Sequence, residues 1–169
     1  MIISIEAATA GDLVFEHGSG LISWLIRWAE KIRFRGSEWN HVAILSDQDP
    51  DGSWWVIQAQ GNGVHRVKFD ESVVHSIVRP PAGVDRAPMM EFARCKDGAR
   101  YGFISCLSIF INLFTPAFIR IDFRTDGTLI CSALATQALL AGGVHNVFPF
   151  RDLYGVTPAQ LWDVLTEAP

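Results

Sequence analysis

Cys131 closes a short apolar approach, Thr128-Leu129-Ile130, and opens the run Ser132-Ala133-Leu134-Ala135. That pattern predicts a helix starting at about Cys131. Free backbone N–H groups and the positive end of the dipole at a helix start favour a thiolate over a thiol. Such placement can bring a thiol pKa down from about 8.5 toward neutrality. The competing role is that of a small buried hydrophobe, the usual one for a free cysteine. Cys95 and Cys106 fall inside helical patterns, where that second role is the ordinary expectation. A thiol nucleophile needs a base, and His41 begins the apolar run Val42-Ala43-Ile44-Leu45. A histidine at a strand start can lean over the sheet edge toward a partner, or serve structure alone. Gln58 stands inside Val56-Ile57-Gln58-Ala59-Gln60. A polar group in an apolar strand needs a partner. From a neighbouring strand its amide could accept a bond from the imidazole and fix the tautomer. Gln60, two residues on, points the same way; the alternative for Gln58 is a solvent-facing side chain.

Other chemistries find less footing. The histidines at 17, 41, 65, 75 and 145 form neither an HExxH motif nor an i, i+4 pair, so no metal site is expected. Gly61-Asn62-Gly63 joins two strands and lacks the lysine and helix of a phosphate loop, and no GxSxG elbow occurs. No cofactor is therefore expected. The three cysteines include no CxxC pair, which supports neither a zinc knuckle nor a disulfide framework. A net charge of −4 with no basic stripe argues against nucleic acid as a partner. The start, MIISIEAATAGD, has no basic n-region and its apolar run is interrupted by Glu6, so the expected location is the cytoplasm.

Several elements must position these residues. Asp12 to Phe15 reads as a strand after Gly11, and Leu21 to Ile32 has helical spacing. His41 to Ser46, Trp54 to Gln60 and Val64 to Phe69 are strands joined by short turns, hence antiparallel neighbours. Val73 to Val78 is a candidate fourth. Arg86 to Lys96, Tyr101 to Phe114 and Leu129 to Leu140 are helical candidates, the last stopped by Gly142-Gly143. Thr157-Pro158 is an N-cap followed by proline at the first helical position, opening a helix to about Leu165. With 169 residues, 49% of them apolar, the expected fold is a single α+β domain, residues 1–169, with an antiparallel sheet packed against helices.

The succession Gly11-Asp12-Leu13-Val14-Phe15, Trp39-Asn40-His41-Val42-Ala43-Ile44, Ile57-Gln58-Ala59 with Gly63-Val64, Tyr101-Gly102-Phe103, Cys131-Ser132-Ala133-Leu134 and Thr157-Pro158-Ala159-Gln160-Leu161 resembles the circularly permuted papain-like branch of the NlpC superfamily, the YiiX-like proteins. It is similar also to the lecithin–retinol acyltransferase relatives. The resemblance spans residues 11–162. It implies a permuted papain-like fold with Cys131 as nucleophile, His41 as base and a polar residue on the following strand, here Gln58, orienting the histidine. Many relatives carry an acid there, and an amide cannot stabilise an imidazolium by charge. The Cys131 backbone N–H is expected as one oxyanion donor, and Tyr101 and Ser132 are the further candidates for contact with substrate or oxyanion.

The activity so implied is thiol-dependent hydrolysis, as an amidase or peptidase, with a small peptide or amide, such as cell-wall peptide, as substrate. A lipid-acting acyltransferase or lipase is the second reading, and a catalytically silent binding module the third. The lipid reading leans on Phe103 to Ile119, 17 residues without a charge, and on Trp24 and Trp28 if exposed. Asn112, Thr115 and Pro116 interrupt that stretch, which predicts a buried helix ending in a turn rather than a membrane span. Membrane contact is not expected.

Overall fold

The computed structural model describes residues 1–17, 39–102, 128–144 and 156–167. Its main body is a six-stranded, wholly antiparallel sheet. The strands are β1 (Ile2–Ile3), β2 (Leu13–Glu16), β3 (His41–Gln48), β4 (Trp54–Gln60), β5 (Gly63–Lys68) and β6 (His75–Val78). Their spatial order is β1-β6-β2-β3-β4-β5. β3, β4 and β5 are sequential neighbours, as their short turns require. The late strand β6 inserts between β1 and β2, and so closes the other half of the sheet. β1 carries two residues only, too few to show a period, and had no sequence signal.

Strand alternation gives the sheet two apolar faces. Leu13, Phe15, Val42, Ile44, Ile57, Ala59, Val64 and Val78 join the principal core, into which the helices pack. Val14, Ala43, Leu45, Trp54, Val56 and Ile77 form a second cluster with Phe69, covered by Ile3, Ile5 and Ala8 of the N-terminal segment. Burial on both sides explains why β3 reads as a continuous apolar run.

Three described helices follow: α1 (Arg86–Cys95), α2 (Cys131–Ala141) and α3 (Pro158–Glu167). The Asp85 carboxylate caps α1 by accepting the Ala87 N–H at 3.0 Å. α2 is buried on nearly every side, at Cys131 through Thr136, Ala138 and Leu139, and packs on β3, β4 and α1. Its alanines allow that close approach. Gly142 ends it where a Cβ would lie 2.9 Å from the Asp85 carbonyl oxygen, so only glycine fits without a shift. α3 begins with a reciprocal capping box: the Gln160 N–H donates to Thr157 Oγ1 at 3.2 Å and the Thr157 N–H to Gln160 Oε1 at 3.0 Å. Its Trp162 sits edge-on to Phe15 and against Trp39, with centroids 5.2 and 5.1 Å away.

Two expected helix starts are corrected. Tyr101 and Leu129 are not helical: β7 (Arg100–Tyr101) and β8 (Thr128–Leu129) form a small parallel pair with Tyr101 opposite Leu129. The backbone at 100–101 is used for that pairing, and β8 is the extended approach to Cys131. The predicted helix over Leu21–Ile32 with Trp24 and Trp28, the segment Phe103–Ile119 and Cys106 lie outside the described residues. Among the described residues no helix is long and apolar enough to cross a membrane.

Candidate active site

The site forms where β3 and β4 part. Their register includes Leu45↔Val56 and Ile44↔Ile57, and the latter is the last pair on the His41 side. The Leu45 backbone bonds to both sides of the β2 turn, donating to Asp12 O and accepting from Gly11 N, each at 2.8 Å. Backbone groups alternate sides along a strand, so the Val42 N–H points toward β4. With no β4 partner at that level, this donor is left for another acceptor, which is the sulfur of Cys131. The N-terminus of α2 is thus seated in the opening between two strands.

His41 bridges the same opening. Its Nε2–H donates to Gln58 Oε1 at 2.7 Å, a buried bond between β3 and β4. That bond fixes the tautomer and leaves Nδ1 for the hydrogen bond to Cys131. His41 is 9% exposed, Gln58 8% and Cys131 6%. Gln58 therefore has the buried, ring-orienting position, and the solvent-facing alternative falls away. Gln60 is exposed at the end of β4, opposite Gly63, and is not joined to the histidine.

The charges follow from this geometry. Burial opposes charging of His41. It is outweighed by the hydrogen bond to Cys131, the charges of Cys131 and Glu16, and the Gln58 bond, which together raise the ring to about 9. Burial likewise opposes the Cys131 thiolate. The His41 hydrogen bond and charge, with the N–H groups of Val42 and Ser132, outweigh it and bring the thiol below its ordinary value. Both shifts favour the thiolate–imidazolium form of the pair over the neutral one. Cys95, exposed on α1, has no such surroundings.

Ile130, at the N-cap of α2, offers no side-chain acceptor, so the first N–H groups are not satisfied by a cap. The Ser132 hydroxyl is committed elsewhere: it donates to the Val156 carbonyl at 2.6 Å and ties α2 to the start of α3. Only its backbone N–H faces the sulfur. Tyr101 is half-buried and packs against the principal core. Among the described residues no group of three or more His, Cys, Asp or Glu side chains could hold a metal ion.

Sequence reasoning missed two contributors. One is the Val42 N–H, which becomes available only because β3 and β4 diverge. The other is Glu16, the last residue of β2, directly opposite His41 in the register. The alternation of Val14 and Glu16 about buried Phe15 was the available signal. No family model matches the chain, and no curated protein matches it either.

Proposed function

We propose that the chain is a thiol-dependent hydrolase of amide bonds, an amidase or peptidase acting through an acyl-enzyme on a circularly permuted papain-like domain. The observation that carries this reading is the Cys131–His41–Gln58 chain of hydrogen bonds, with the sulfur at a helix start and the histidine tautomer fixed from behind. A structural cysteine has no need of a buried imidazole, a directed amide and two backbone donors. An amide in the third position suits this chemistry, since Cys-His-Asn is a recurrent form of the triad.

The thiolate attacks the substrate carbonyl carbon and the charge moves to its oxygen, where the Cys131 backbone N–H is the nearest donor of the uncapped helix start. On collapse the carbon–nitrogen bond breaks and His41 gives its proton to the leaving amine. Water then enters, His41 takes a proton from it, and the resulting hydroxide attacks the thioester. Collapse releases the acid, and the pair returns to thiolate and imidazolium. The substrate assigned to this site is a small peptide or similar amide, cell-wall peptide included.

Brief iodoacetamide treatment at pH 7, followed by mass-spectrometric mapping, tests the nucleophile. Cys131 should be alkylated well ahead of Cys95 and Cys106 despite its burial. Equal labelling of the three, or none at Cys131, overturns the assignment. A silent binding module would show the fast labelling without turnover of any acyl substrate.

A further inference from the structure

We infer that Glu16 is a positioning residue for His41, the fixed counter-charge that the amide of Gln58 cannot supply. This rests on the thiol-hydrolase reading for its purpose, but not for its test. Three adjacent strands place the groups in one row: Glu16 of β2 lies directly opposite His41 of β3 on one side and His75 of β6 on the other. Directly opposed residues share a sheet face, with Cβ atoms about 5 Å apart. Val14, Ala43 and Ile77, two residues along each strand, all belong to the second cluster, which fixes that face. Glu16 is half-buried there.

The division of labour is physical. Gln58 accepts one N–H and sets the direction of the ring, but carries no charge. Glu16 carries charge and stands beside the ring, and its carboxylate favours the protonated imidazole over the neutral one. The groups facing Glu16 are His41, His75 and, from the β5–β6 connection, Asp70. Those facing His41 are Glu16, Gln58 and Cys131. His75 is held by its own Nδ1–H, which donates to the Val73 carbonyl at 2.7 Å, and by Phe69, whose ring meets it edge-on at 4.9 Å. One carboxylate is thus shared between two imidazoles, one that joins the thiolate and one that does not.

Removing the acid should lower the proton affinity of His41. The test is the NMR titration of the His41 ring in the full chain, in wild type, Glu16→Gln and Glu16→Asp. Expected is a midpoint that falls by about half a pH unit or more in Glu16→Gln and recovers in part in Glu16→Asp. A midpoint unmoved by Glu16→Gln overturns the inference. Should Glu16→Gln fail to fold, Glu16→Asp decides, since it keeps the charge but withdraws it by one methylene: a midpoint that does not fall below that of wild type overturns the inference. Alkylation of wild-type Cys131 is measured in parallel: slow labelling there sinks the hydrolase reading while the His41 midpoints still report on Glu16.

Discussion

β2 is preceded by one acid, Asp12, and ends in another, Glu16, and the two have opposite company. Asp12 is fully buried, and its charged partners are permanent cations. Arg86 of α1 is bonded to its Oδ1, Arg79 at the end of β6 lies 3.7 Å from Oδ2, and Oδ2 also accepts the Thr9 N–H at 2.8 Å. Those partners do not change charge in the accessible pH range. Glu16 is half-buried and faces two imidazoles. Burial raises its carboxyl above the ordinary value, only partly offset by the charges of His41 and His75. The first end is a clamp that ties α1 and β6 to the start of the sheet. The second is a set of mutually dependent titratable groups, and such sets gather where protons are moved. Conserving charge at one end and moving it at the other is the difference between structure and chemistry on a single strand.

The sharpest way to break that comparison is a double dissociation. Cys131→Ala should cost about 10^4-fold or more in turnover while leaving the thermal midpoint within a few degrees. Turnover surviving Cys131→Ala would remove the site from the molecule. Asp12→Ala should do the reverse. Leaving two guanidinium groups beside an empty buried position costs about 3–5 kcal/mol in a fully buried pair. Arg86 and Arg79 keep 32% and 35% of their side-chain surface exposed, so water recovers part of that. We expect a loss of about 2–3 kcal/mol in urea unfolding after that screening. The fraction that remains folded should keep the fast Cys131 labelling. If Asp12→Ala abolishes labelling in folded protein, the two ends are not independent.

Gln58 sharpens the comparison from the site's side. Gln58→Ala should lower kcat by roughly 10–1000-fold without unfolding the domain. Gln58→Glu should be tolerated, and Gln60→Ala should change nothing. The reverse result, with Gln60→Ala inactive, would move the third position to the strand's end. pH tests the same pair without substitution. His41 has a folded value of about 9, above its unfolded value of about 6.5, so its contribution to stability is whole below 6.5 and lost as pH rises through 9. Cys131 is lowered, so its contribution is whole above the unfolded thiol value of about 8.5 and lost as pH falls through the folded one. The two contributions run in opposite directions with pH and offset one another where both groups titrate, so stability should vary less with pH there than either group alone would make it. Turnover should fall as pH passes 9, because the imidazolium that protonates the leaving group is gone. A turnover profile still rising through pH 9 would contradict the ion pair.

Much of this was legible in the sequence for definable reasons. Continuous apolar runs broken by glycine and proline located β3, β4 and β5, and a helix start at Cys131 followed from the apolar approach and the run of alanines. The Thr157-Pro158 start was legible because a cap is a local device. What was hidden is non-local. Tyr101 and Leu129 looked helical because nothing nearby shows that the two segments pair with each other. Nothing local singles out Glu16, because only the sheet order, with β6 inserted beside β2, puts histidines on both its sides. The Val42 N–H is invisible in any sequence, since it is free only where two strands separate.

The smallest effect expected belongs to the device that was most legible. The Thr157 hydroxyl accepts the Gln160 N–H while the Gln160 amide oxygen accepts the Thr157 N–H, so each side chain satisfies one donor at the start of α3. Losing the hydroxyl leaves one N–H to find water, and replacing a capping threonine by alanine costs about 1 kcal/mol. Thr157 is 5% exposed, which limits that access and sets the cost at the upper part of the usual range. Yet the neighbouring Val156 carbonyl is what Ser132 donates to at 2.6 Å, one residue after the nucleophile. Thr157→Ala should therefore lower the urea midpoint modestly and leave the relative rate of Cys131 labelling unchanged, because the Ser132 bond to residue 156 is separate from the cap. If labelling slows by more than about threefold, corresponding to roughly 0.6 kcal/mol, the start of α3 does more than close the core: it holds the start of α2, and the sulfur with it, against the opening between β3 and β4.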